Sequence, residues 1–286
     1  MSGRSLVRTL APGAAVAGGA ALAALSAKEL IRRQARIARL AIGKPLGEDA
    51  HRADKTYRRK LGDPIDLLLL GDSIAAGLGA DKPKRTLGAQ LAKRLADGTN
   101  RSVHLHSAAI VGSETSMLRV QLAGLPVGYV ADVAVIVVGG NDVTHRVKTS
   151  VSVAHLAEAV TALQSQGTHI VVGTCPDLGT LTPLPQPLRA MAGLASRQLA
   201  AAQRDVVIGL GERAVSLRDV VGPVFVAEPG KMFAIDRFHP SGAGYRRTAK
   251  AMLPSVLAAL GDESPLPFGH HEPLQVSVEQ SGPAAG

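Results

Sequence analysis

The 286-residue sequence contains no tryptophan, a single cysteine, and only seven phenylalanines and tyrosines together. Each scarcity excludes something. One cysteine, Cys175, rules out an intramolecular disulfide, so the redox compartment cannot be read from cysteine usage. With so few aromatic platforms, base stacking and sugar stacking are poorly provided for. The net charge of +9 suggests a nucleic-acid partner only until its distribution is examined. Residues 1–60 hold 13 Lys and Arg against 4 Asp and Glu, whereas the other 226 residues hold 19 of each sign. The body is neutral, and no nucleic-acid partner is expected. His270 and His271 have no cysteine or carboxylate cluster beside them, so no metal is expected.

Charge is also missing from residues 9–27, TLAPGAAVAGGAALAALSA, which follow Arg4 and Arg8. This pattern suits an export signal or a membrane anchor. Two features weaken it. Alanine and glycine make insertion marginal, and Lys28, Arg32, Arg33, Arg36 and Arg39 follow at once and resist translocation. The segment KELIRRQARIARLAI could instead rest on an anionic membrane, since Leu30, Ile31, Ile37, Leu40 and Ile42 recur near helical spacing among the basic residues. Membrane association through residues 1–42 is the expectation, at the membrane or exported to the envelope. A cytoplasmic protein with a plain N-terminal arm is the alternative.

Four short stretches read as strands: residues 65–70, a continuous apolar run of the kind buried on both faces, then 103–108, 132–138 and 168–174. DVVIGL, residues 205–210, reads as a fifth. Helices are expected near residues 87–95, 150–164, 188–202 and 241–260, with Gly167 and Gly261 as stops. Alternating strands and helices indicate an α/β fold with a doubly wound parallel sheet, whose site lies at the carboxyl ends of the strands. The expected organisation is a basic arm over residues 1–60, one domain over 61–261, and a disordered tail over 262–286.

The chemistry collects at four places in this order. GDSIAAGLG, residues 71–79, follows the first strand, and Ser73 on a tight strand-to-helix turn can present its hydroxyl. Gly112 follows the second strand and can offer an unobstructed amide. Asn141, in GGND, ends the third strand and can present a carboxamide. In DRFHPSGAGY, residues 236–245, His239 can take a proton from Ser73 while Asp236 fixes its tautomer. Each piece alone is ordinary: GDS is more often a cap than a nucleophile, and an Asp-x-x-His is more often a surface or capping pair.

Taken together, GDS, a loop glycine, G-x-N-D and D-x-x-H-P resemble the SGNH, or GDSL-like, hydrolase superfamily across residues 65–260. Within it the chain looks most similar to bacterial, notably mycobacterial, single-domain membrane-associated esterases. The resemblance implies a flavodoxin-like three-layer α/β/α sandwich with a mainly parallel five-stranded sheet and no cofactor. It implies a triad of Ser73, His239 and Asp236, with an oxyanion hole from the Ser73 amide, Gly112 and Asn141. GDSI stands where the family name has GDSL, a change of one apolar side chain, and Gly112 sits in the loosest motif.

Asp72, Phe238 and His145 are candidates for the substrate pocket. Against these stand loop-holding for Asp72, plain packing for Phe238 and a solvated loop for His145. Cys175 reads as a buried small apolar residue. The activity implied is hydrolysis of short-to-medium acyl esters, small molecule or lipid, through an acyl-serine. An acyl- or acetyltransferase, or a non-catalytic membrane-tethered binding module, are the rival readings.

Overall fold

The computed structural model describes residues 12–273, with side chains from residue 25 onward. The expected signal or anchor at residues 9–27 therefore lies partly outside the described residues, as does the tail beyond residue 273. From Pro12 to Ile42 the chain is one helix, α1, which runs through both the uncharged stretch and the basic one. No helix among the described residues is long and apolar enough to cross a membrane.

In chain order follow β1 (Lys55–Tyr57), β2 (Gly62–Gly71), α2 (Ser73–Ala76), α3 (Leu87–Thr99), β3 (Arg101–Ser107) and α4 (Leu118–Ala123). Next come β4 (Val133–Val137), α5 (Gly140–His145), α6 (Thr149–Gln164), β5 (His169–Gly173) and α7 (Leu188–Gly209). The chain then forms β6 (Arg213–Val215), α8 (Leu217–Val220), α9 (Gly222–Ala227), α10 (Pro229–Met232), α11 (Gly242–Ala259) and β7 (His270–His271).

These strands build one seven-stranded sheet in the order β1-β3-β2-β4-β5-β6-β7. The inner five are parallel, and the outer two are antiparallel to their neighbours. The alternation of side chains along a strand divides the core. On one face Leu67, Leu69, Val133, Val135 and Val137 pack under Leu87, Leu91 and Leu95 of α3 and Tyr245, Met252 and Val256 of α11. On the other, Leu68, Leu70, Ala134, Ile136 and Val172 pack under Leu118 of α4, Leu156 and Val160 of α6, and Val207 of α7. The result is a three-layer α/β/α sandwich.

Four of the expected strands coincide with β2 to β5, but the sheet has seven strands rather than five, and the fifth expected strand is not one. DVVIGL is the end of α7, where Val207 is buried by continuing the helical stripe of Leu199 and Gln203. The strand comes just afterwards as β6, three residues long and too short to show a pattern. The domain also reaches beyond 61–261. Lys55–Tyr57 pairs with β3, and in the supposed tail His270–His271 pairs with β6. Those two histidines bond to serines, His270 Nδ1 to Ser255 Oγ at 2.7 Å and His271 Nε2 to Ser216 Oγ at 2.8 Å.

Candidate active site

Ser73 owes its position to a strand that ends where only glycine fits. Gly71 closes β2 at φ +131°, and a β-carbon there would stand 1.9 Å from the Val137 carbonyl oxygen on β4. Asp72 then caps the single turn of α2, accepting the Ile74 amide at 2.9 Å. The turn closes on Gly77 and Leu78, whose amides both donate to the Ser73 carbonyl, at 3.0 and 2.9 Å. Beneath it Tyr245 of α11, fully buried, donates its hydroxyl to the Leu78 carbonyl at 2.6 Å. Ser73 itself is 7% exposed.

The histidine arrives on the loop between α10 and α11. Phe233 bridges Pro240, and the amides of Ala234 and Ser241 donate across the loop to His239 and Met232, both at 2.8 Å. Ser241 then caps α11 by accepting the amides of Ala243 and Gly244. This frame sets His239 Nε2 at 3.0 Å from Ser73 Oγ and its Nδ1 at 2.5 Å from Asp236 Oδ2. The other Asp236 oxygen accepts the amides of Phe238 and His239, each at 3.0 Å. Burial alone would raise the Asp236 carboxyl, but the His239 bond and those two amides outweigh it and hold the group below the usual carboxylate range. An ionised Asp236 keeps the proton on Nδ1, which leaves Nε2 free to accept from the serine hydroxyl.

Around this line the loop of residues 110–115 is stitched down from several directions. The Ile110 amide donates to the Gly71 carbonyl at 3.1 Å. Asn141 Nδ2 donates to the Ser113 carbonyl at 2.9 Å, the Thr115 amide donates to Asp142 Oδ2 at 3.0 Å, and His145 pairs with Glu114 at 2.7 Å. Gly112 has φ +83°, with no atom within 4 Å of where a β-carbon would be. Among the described residues none accepts a hydrogen bond from the amides of Ser73 or Gly112. One hydrogen of the Asn141 carboxamide is occupied by Ser113, which orients the other.

An apolar cleft of about 80 Å³ opens beside the triad, lined among others by Ile74, Leu178, Leu181, Phe225, Phe233 and Phe238. Of the three pocket candidates only Phe238 lines it. Asp72 lies buried next to Ser73, where its carboxylate accepts the Ile74 amide, and burial pushes its pKa up to about 6. His145 is exposed and engaged with Glu114. A larger polar cavity of about 670 Å³ lies at the opposite ends of the strands, lined by Asp66, Asp132, Glu212 and Arg213, and holds no triad member. The smaller cleft, by contrast, is lined by Ile74, next in sequence to Ser73, and by Phe238 and Pro240, which flank His239.

Two glutamines escaped the sequence reading. Buried Gln121 grips Gly71 with both ends of its amide, at 2.8 Å each, and reaches Ser113 Oγ at 3.2 Å. Buried Gln203 joins the Val138 carbonyl to the Cys175 amide. A polar residue on an otherwise apolar helical stripe was the only available signal.

With this geometry in view, a model of the GDSL-like lipase/acylhydrolase family matches residues 69–247. The chain belongs to the GDSL-like lipase/acylhydrolase family. It is 35% identical over 284 residues to a GDSL-like esterase of Mycobacterium tuberculosis, covering 96% of this chain and 89% of that one. The fold is shared with an acetylxylan esterase from Geobacillus stearothermophilus at a TM-score of 0.52 and 19% identity, over 71% of this chain and 97% of the other. An α/β hydrolase from the metagenome of Lake Arreo superposes at a TM-score of 0.55, also 19% identical, over 70% and 96%. At such identity these structures speak for the fold alone. As a GDSL-like family member the chain is an ester hydrolase.

Proposed function

We propose that this chain is a serine carboxylic-ester hydrolase working through an acyl-Ser73 intermediate, with short-to-medium acyl esters as substrates. The observation that carries the reading is the unbroken line Ser73 Oγ, His239 and Asp236, at 3.0 and 2.5 Å. In the first half-reaction Ser73 Oγ attacks the ester carbonyl while His239 Nε2 takes its proton. The negative charge on the tetrahedral intermediate meets the amides of Ser73 and Gly112 and the free carboxamide hydrogen of Asn141. Each such donor is worth roughly 10²–10³ in turnover. The imidazolium, stabilised by ionised Asp236, protonates the departing alcohol. Water then enters, loses its proton to His239 and releases the acid.

The acyl length follows from the cleft. About 80 Å³ of apolar space holds on the order of six water-sized groups. Leu178 and Leu181 form one side of that cleft and Phe225 and Phe233 are among its other walls. The test is hydrolysis of p-nitrophenyl esters from acetate to palmitate by the parent and by Ser73→Ala. The parent is expected to peak at short acyl chains and the variant to fall by about 10⁴ or more. Equal rates for both proteins would overturn the reading. A parent that acylates an added alcohol in preference to water would make it a transferase.

A further inference from the structure

The esterase reading leaves α1 without a role, although its inner face is firmly placed. Gln34, buried, donates to the Gln186 carbonyl and accepts the Leu188 amide. Ala38 and Ile42 join a cluster with Leu178, Leu181, Phe233 and Phe238, four residues that also line the acyl cleft. The helix is therefore fixed to the outside of the cleft wall.

Its outer face is unpartnered and has a definite composition. Leu30 and Ile37 are each 46% exposed and Leu40 is 78% exposed. Spacings of seven and three place them on one stripe of a helix. Lys28, Arg32, Arg33, Arg36 and Arg39 flank the stripe, with Glu29 the only acid between residues 25 and 42. Among the described residues only Arg32 of these cations has an acidic partner, Glu29 at 3.8 Å. Single exposed leucines are ordinary. Three in register among five cations match a surface that is apolar and anionic at once, which a lipid headgroup boundary is. A second copy of this chain would bring like charges together around the same stripe.

We propose that α1 is an interfacial helix whose outer face lies on an anionic lipid surface, so that the acyl cleft behind it draws its ester from the bilayer. This rests on the esterase reading for its chemistry, but docking is separable from it. A basic residue near an anionic surface strengthens binding roughly fivefold.

The test is flotation of the full chain with vesicles of phosphatidylcholine alone or mixed with phosphatidylglycerol. The parent is compared with Leu30→Gln/Ile37→Gln/Leu40→Gln and with Arg33→Glu/Arg36→Glu. Cleavage of p-nitrophenyl acetate in solution and of a fluorogenic butyrate ester of a lipid-anchored alcohol held in the same vesicles is measured alongside. The parent should bind the anionic vesicles at least about tenfold more tightly than the neutral ones. Each variant should lose at least about tenfold in anionic binding and a similar factor on the vesicle-borne ester. Acetate cleavage should stay within twofold, which also reports intact folding. No binding by the parent, unchanged binding by both variants, or a parent dimer that the glutamine variant dissociates would each overturn the proposal. Vesicle binding by a parent that cleaves neither ester would overturn the esterase reading and leave the docking helix standing.

Discussion

Gly79→Ala should uncouple the Ser73–His239–Asp236 line without replacing any residue in it. Gly79 has φ +100°, and a β-carbon there would stand 2.5 Å from the Pro240 carbonyl oxygen and 3.1 Å from His239 Cβ. Carbon–oxygen contacts relax at about 3.3 Å, so the loop bearing His239 must retreat by about 0.8 Å. The Ser73–His239 bond, 3.0 Å in the parent, would stretch to a length at which no hydrogen bond remains. A displacement near 1 Å at a catalytic group costs about 10²-fold, and the positive φ adds on the order of 1–3 kcal/mol of backbone strain. Gly128→Ala is the control, because Gly128 has φ +76° but nothing within 4 Å of the added carbon. It carries the strain without the clash. The assay is kcat/KM on p-nitrophenyl butyrate together with urea unfolding. Gly79→Ala should lose about 10² in kcat/KM while still folded, and Gly128→Ala should lose only stability. A folded Gly79→Ala protein within threefold of parental activity would refute the claim that the nucleophile turn and the histidine loop are rigidly interlocked.

Two further outcomes follow from the carboxylates. Asp236→Asn should leave the loop in place yet lower turnover by about 10⁴, since an amide no longer holds the proton on Nδ1 or stabilises the imidazolium; a loss under tenfold in a pH–rate series would contradict this. Asp72 behaves in the opposite sense. Its pKa is raised from 3.8 to about 6 by burial, so the folded state binds its proton more readily than the unfolded one, and stability falls as pH rises from about 4 to about 6. Asp72→Asn removes that dependence, so the variant should gain on the parent by as much as about 3 kcal/mol between pH 4 and pH 7 in paired urea titrations. Any titration of Asp236 in that range is common to both proteins and cancels. A pH-independent difference would show that Asp72 is not strained by its burial.

How much was legible in the sequence depended on the length of each signal. Residues 65–70, 132–138 and 168–174 sit in the middle of the sheet, buried on both faces, and such strands must be apolar throughout. The edges are different. β1 and β6 are three residues long and β7 two, below the reach of any periodicity, which is why the tail looked formless. DVVIGL misled because β-branched residues mark strands only where tertiary packing agrees. Here Val207 continues a helical stripe.

The candidate site was legible where the proposed mechanism asks one residue for one task. Ser73, Asp236 and His239 stand in short motifs, and the structure sets all three on one hydrogen-bonded line. The apolar cleft was not readable, because its walls come from seven separate stretches of chain between Ile74 and Thr248, and most of them, Leu178, Leu181, Phe225 and Phe233 included, lie outside any motif. The grip of Gln121 on Gly71 was hidden for the same reason, since fifty residues separate the two. The contact of Ala38 and Ile42 with the cleft wall likewise joins segments far apart in sequence.

The most direct test of the acyl-serine claim is to trap the intermediate. Parent protein mixed with p-nitrophenyl butyrate, quenched in acid before deacylation and digested, is mapped by mass spectrometry. A butyryl group on the peptide containing Ser73, and on no other peptide, is the expected result. Release of p-nitrophenol with no acyl group on Ser73, or with the group on Cys175 or a lysine instead, would contradict it.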